Sequence, residues 1–213
     1  ECNGFQAGDE KLAYVFMAVT TLLWGTASAA AGLLGDAVSP AVLGLLRNGF
    51  ALVFFVPLAL AGGWTAKANA AGVRASGIRF DATAAAAGLL GYGSMQLFFF
   101  LAAQTTASGH VVLIMSLVPL AVHVATSVMR RTPMRPATFA GHVIALLGLA
   151  VAVGGPSGAF GSIRAGDGYA LLAMLSFAGY SLLIGKLKPG YPQARANIVG
   201  LAAGSVPLAA VAA

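Results

Sequence analysis

Residues 108–129, SGHVVLIMSLVPLAVHVATSVM, run for 22 positions without an acidic residue, lysine or arginine, and Arg130-Arg131 closes them. About 20 apolar residues at 1.5 Å rise cross the ~30 Å hydrocarbon core of a bilayer, so this run reads as a membrane span. Outward from it, six more runs share its character: Leu12–Leu34, Pro40–Gly62, Ala82–Ala103, Ala137–Gly155, Gly168–Gly185 and Ala196–Ala213. Hydrocarbon offers no partner to backbone polar groups, so each run is expected to be a helix. The fold class expected is all-α: a polytopic membrane protein with about seven transmembrane helices. Composition agrees, with 59% hydrophobic and 8% charged residues over 213 positions and a mean hydropathy of +0.87. Soluble domains carry about 25% charge.

The net charge of +6 invites a nucleic-acid reading, but its placement speaks for topology. Lys11 precedes the first span; Lys67, Arg74 and Arg79 follow the second; Arg130, Arg131 and Arg135 follow the fourth; Lys186, Lys188 and Arg195 follow the sixth. The alternate side carries Arg164 alone, and Arg47 lies inside a span. Basic residues accumulate in cytoplasmic loops, which puts the N-terminus and three basic loops inside and leaves no role for nucleic acid. Asp9 and Glu10 stand where a signal peptide would be basic. The single cysteine, Cys2, excludes a disulfide framework and a thiolate metal site.

The spans repeat. Val56-Pro57-Leu58-Ala59 recurs as Val206-Pro207-Leu208-Ala209 after 150 positions, and Leu23-Trp24-Gly25-Thr26-Ala27-Ser28 is echoed by Ser176-Phe177-Ala178-Gly179-Tyr180-Ser181 after 153. The unit then holds five spans, an odd number, so a second copy enters the membrane from the opposite side, as in inverted-repeat carriers. Four segments are expected: a cytoplasmic tail over 1–11, a first five-helix unit over 12–155, a linker over 156–166, and the first two helices of a second unit over 167–213. Because Ala213 falls within an apolar run, we expect a fragment lacking spans eight to ten; the competing reading is a seven-span protein with a short last helix.

Leu23-Trp24-Gly25, the Pro40 start, Leu46-Arg47, Thr105–Leu120 with Pro119, Gly141…Gly148 and Gly166-Asp167 stand in an order and spacing that resembles EamA-domain proteins of the drug/metabolite transporter superfamily. The resemblance covers nearly the whole chain from Tyr14 onward. It implies an inner-membrane carrier of ten helices in two inverted units, moving small metabolites or drugs by alternating access, with export as the expected direction. Many relatives close span four with a glutamate; here Arg130-Arg131 stands in that place, so no role of that acid is carried over.

Arg47 is the one charged side chain within a span, where an arginine at mid-helix costs about 2.5–3.5 kcal/mol. It reads either as an attractor for an anionic substrate or as a snorkelling or helix-end-pairing group. Polar residues recur at helical spacing: Thr21, Trp24 and Ser28; Tyr92 and Gln96; Ser116, Pro119, His123 and Ser127; Ser176 and Tyr180. Such stripes suit a central cavity, and each also suits interhelical hydrogen bonds averaging about 0.6 kcal/mol. The substrate-binding candidates are Trp24, Arg47, Tyr92, Gln96, Ser116, His123, Ser176 and Tyr180. His123 is either a proton carrier or a hydrogen-bonded packing residue. His110 and His142 have no carboxylate or second histidine at ligand spacing along the chain, so no metal site and no cofactor is expected. Pro119 removes the hydrogen bond to the Met115 carbonyl and predicts a kink. Gly200 with Gly204, and Gly141, Ala145 and Gly148, read as packing stripes.

GxSxG, HExxH and paired intramembrane carboxylates are all missing from the sequence, which argues against an enzyme. The alternative to a transporter is a seven-helix membrane receptor or scaffold. The partners expected are a small-molecule substrate and the lipid bilayer, with a homodimer left open.

Overall fold

The computed structural model describes residues 7–34, 37–61, 77–152, 164–187, 191 and 193–213; among these the secondary structure is helix without strands. In chain order the helices are α1 (Ala7–Leu34), α2 (Pro40–Ala61), α3 (Gly77–Gly88), a π-helical turn (Leu89–Ser94), α4 (Met95–Thr105), α5 (Ser108–Met115), α6 (Val118–Arg130), α7 (Pro136–Ala152), α8 (Ala165–Ile184) and α9 (Gln193–Ala212). Among the described residues, five stretches are long and apolar enough to cross a membrane: Pro40–Pro57, Phe80–Thr105, Ser108–Arg130, Ala165–Ile184 and Gln193–Ala212. The fifth expected run forms an apolar helix shorter than these, Pro136–Val151. Helix α1 starts at Ala7, inside the expected tail, and most of the expected linker, residues 156–163, lies outside the described residues.

Local chemistry sets the boundaries. The Val42 amide donates to the Ser39 Oγ at 3.3 Å, and Pro40 follows that cap where a missing N–H costs nothing. At α8, the Arg164 amide donates to Asp167 Oδ2 at 2.9 Å, which places a carboxylate in the positive first turn. The kink expected at Pro119 is present: α5 stops at Met115, Ser116 and Leu117 form a turn, and α6 restarts at Val118. Ser116 Oγ donates to the Leu113 carbonyl at 2.6 Å, occupying an acceptor at the break.

The third span, α3 through α4, is the centre of the bundle. Eleven of the 26 residues of Phe80–Thr105 are buried, against two of the 23 of Ser108–Arg130. It packs on α8 and α9 as well as on α1 and α2, whereas α7 touches chiefly α5 and α6, and those sparsely. Ala31, Met95, Phe99, Phe100, Val111 and Ala173 form the apolar core where α1, α4, α5 and α8 meet.

Chain directions follow from paired contacts. Asn48 bonds Ser205, and Gly44 lies against Leu208, so α2 and α9 run antiparallel. Gly88 meets Gly200 while Gly93 meets Gly204 and Pro207, so the third span and α9 run parallel. The Gly88–Gly200–Gly204 approach is backbone on backbone: a Cβ on Gly204 would stand 2.6 Å from the Gly88 carbonyl oxygen and 2.7 Å from the Tyr92 carbonyl carbon. Small residues permit such contact between membrane helices. The other small-residue stripe does not pack this way, because a Cβ added at Gly141 or Gly148 would meet nothing within 4 Å.

Candidate functional site

A polar seam runs where α2, the third span, α8 and α9 meet, and the π turn organises it. In a π turn the hydrogen bonds skip five residues, and the Met95 amide donates to the Leu90 carbonyl. The Tyr92 carbonyl inside this turn accepts a side chain instead, the Nδ2 of Asn48 on α2, at 3.1 Å. The same Nδ2 donates to Ser205 Oγ on α9 at 3.1 Å, and Ser205 in turn donates to the Leu201 carbonyl at 2.8 Å. With both Asn48 amide hydrogens used, its Oδ1 is the acceptor for Gln96 Nε2 at 2.8 Å. Gln96 is 2% exposed, and its Oε1 is the buried side-chain polar atom without a partner among the described residues. Leaving such an acceptor unpaired costs about 1–3 kcal/mol, and unpaired buried groups point to ligands or water.

The aromatic half of the seam adjoins it. Tyr92 donates to Asn197 Oδ1 at 3.3 Å and shares a 3.3 Å contact with the Tyr180 hydroxyl. The Tyr92 and Tyr180 rings meet edge to face with centroids 5.6 Å apart. Phe177 stacks on Tyr180 at 5.6 Å and 8°. These aromatic faces stand beside neutral amides and hydroxyls, the mixture of apolar walls and a few orienting polar groups found in small-molecule sites.

Of the residues named from the sequence, the structure brings Tyr92, Gln96 and Tyr180 into this seam. Arg47 is exposed on α2, next to Asn48 in sequence. Ser176 is half-buried on α8, one turn before Tyr180. The Trp24 side chain lies outside the described residues. Ser116 and His123 belong elsewhere, on the side of the bundle facing α7. Ser116 lines a cavity of about 480 Å³ with Pro119, Thr138, Gly141 and His142. His123 is exposed, and its ring lies 5.1 Å from that of His142. Sequence reasoning missed three seam residues: Asn48, Asn197 and Ser205. Asn48 carried a signal, an amide within an apolar run next to the intramembrane arginine.

Two polar clusters tie the ends of the third span to α8 and α9. At one end Asp81 accepts from Tyr191 and from both the Nε (2.9 Å) and a terminal nitrogen of Arg195. Burial, then the bond to Asp81, raises the Tyr191 hydroxyl above its ordinary range. At the other end Asp167 Oδ1 accepts from Thr106 Oγ1 at 2.7 Å and from His110 Nδ1 at 3.1 Å. His110 therefore has the carboxylate neighbour that spacing along the chain does not reveal. No group of three or more His, Cys, Asp or Glu side chains is gathered for a metal ion among the described residues.

A bundle of apolar helices around a buried polar seam defines the class, a polytopic membrane protein. Residues 11–154 match the EamA-like transporter family. With more than half of the chain matched, the protein belongs to that family, whose members are membrane transporters of the drug/metabolite type. No curated protein and no solved structure matches the chain.

Proposed function

We propose that the protein is a secondary carrier that moves a small metabolite or drug across the cytoplasmic membrane, binding it at the seam formed by Asn48, Tyr92, Gln96, Tyr180 and Asn197. The observation that carries this reading is the Gln96 oxygen without a partner among the described residues: a buried acceptor in a low-dielectric interior, one helical turn from Tyr92, whose ring meets Tyr180, in a transporter family. A substrate N–H or O–H would satisfy it, and the Tyr180–Phe177 face would hold an apolar or planar portion. Arg47, the one charged side chain within a span and adjacent to Asn48 in sequence, favours a substrate that also bears negative charge.

Alternating access between two inverted units is part of the proposal, and export is the direction we favour. The antiparallel course of α2 and α9, the two helices that carry the Val-Pro-Leu-Ala repeat, supports the inversion. The distribution of lysine and arginine supports a cytoplasmic N-terminus. In that orientation Asp81, Tyr191 and Arg195 close the inner end of the seam and Asp167, Thr106 and His110 the outer end. The test is substrate efflux from cells expressing the full-length protein. Gln96→Ala and Tyr180→Ala should each reduce efflux at unchanged membrane abundance, and unchanged efflux in both variants would rule the seam out as the site.

A further inference from the structure

We infer that His123 and His142 form a two-imidazole site for a borderline divalent transition metal such as zinc, nickel or copper(II), bridging α6 and α7. The residues are 19 positions apart in sequence on different helices, and their rings stand 5.1 Å apart at 68°. His123 Nδ1 lies 3.1 Å from the Pro119 carbonyl and His142 Nδ1 lies 2.7 Å from the Thr138 carbonyl. A carbonyl oxygen can only accept, so each Nδ1 carries the proton and each Nε2 presents a lone pair. That tautomer, held by a backbone acceptor behind the ring, is the outer-shell arrangement of metal-ligating histidines.

The separation fits as well. With metal–nitrogen bonds of about 2.0–2.1 Å and ring centres ~1.1 Å behind each nitrogen, two ligands at the tetrahedral angle hold their centres ~5 Å apart. A directly shared proton between the two Nε2 atoms is not what the structure records: each ring's hydrogen bond goes to its own helix. His123 and His142 lie seven and six residues from the Arg130 and Pro136 ends of their helices, and His142 borders the cavity of about 480 Å³ that Ser116 and Thr138 also line, so water in that cavity can complete the ion's shell. Neutral nitrogen ligands without a carboxylate select borderline ions over magnesium or calcium.

The site is independent of the seam and is tested without transport. The tag-free full-length protein in detergent, stripped with a chelator, is titrated with zinc and nickel against a chromophoric indicator and loaded with copper(II) for electron paramagnetic resonance. One equivalent should bind, with hyperfine structure from two nitrogens. His123→Gln and His142→Gln should each weaken binding by about tenfold or more, and the double variant little further. The two-nitrogen spectrum of the unaltered protein decides the matter even where a variant folds poorly. Full affinity retained in either folded variant, or a copper spectrum with fewer than two nitrogens, would overturn the inference.

Discussion

Gln96 Nε2 donates to Asn48 Oδ1 across 2.8 Å, and the other end of the same glutamine amide is buried without a partner among the described residues. The pair joins the central third span to α2, and through Ser205 to α9. Its two members play unequal parts. Asn48 is saturated and holds three helices together, whereas Gln96 retains an unused acceptor.

That asymmetry separates stability from transport. Asn48→Leu strips partners from Gln96, Ser205 and the Tyr92 carbonyl, so it should destabilise the protein by about 1–3 kcal/mol. Gln96→Leu removes the orphaned oxygen while leaving Asn48 Oδ1 unpaired, so its net effect should stay within ~1 kcal/mol. Thermal unfolding in detergent checks the order of the two variants. Equal losses would mean that the two amides contribute alike.

Glycine substitutions should divide by location. Gly204→Ala places a methyl 2.6 Å from the Gly88 carbonyl oxygen, and overpacking of this kind costs about 1–3 kcal/mol. Gly141→Ala meets nothing within 4 Å and gains helix propensity, so it should be neutral or stabilising by up to ~1 kcal/mol. The same unfolding assay reads both, and a destabilised Gly141→Ala would show that this face of α7 is tightly packed after all.

The ion pair of Asp81 and Arg195 joins the beginnings of α3 and α9, with side chains 26% and 31% exposed. A partly solvated pair contributes modestly, so Asp81→Asn should lower stability by no more than ~1 kcal/mol. Its expected effect is on access. A cysteine at Asn197, in a Cys2→Ser background, should react faster with a cytoplasmic thiol reagent when Asp81 is neutralised. An unchanged rate would leave this cluster as a purely structural tie.

Topology has its own check. In intact cells an impermeant reagent should label cysteine at Ser108 and not at Ser76. Labelling at Ser76 would reverse the orientation drawn from the basic loops.

The helices were legible in the sequence because an apolar run in hydrocarbon has one backbone solution. The break at Pro119 was legible too, since it follows from a missing N–H within one helix. The seam was only partly so. Tyr92, Gln96 and Tyr180 sit on helical stripes, but the partners Asn48, Asn197 and Ser205 depend on the register between helices, which spacing along one helix does not encode. The same limit hid the pairing of His110 with Asp167 and the approach of His123 to His142. Spacing along the chain also grouped His123 with Gln96, whereas the kink at Ser116–Leu117 belongs to a span whose histidine faces α7.

The central claim, that the seam is the transported substrate's site, is tested most directly by access from both sides. A single cysteine at Tyr180 in the Cys2→Ser protein, reconstituted in oriented vesicles, is exposed to an impermeant thiol reagent from either face, with and without substrate. A substrate site in the seam of an alternating-access carrier predicts modification from each side in turn and protection by substrate on both. Modification from neither face, or a rate that substrate leaves unchanged, would contradict it.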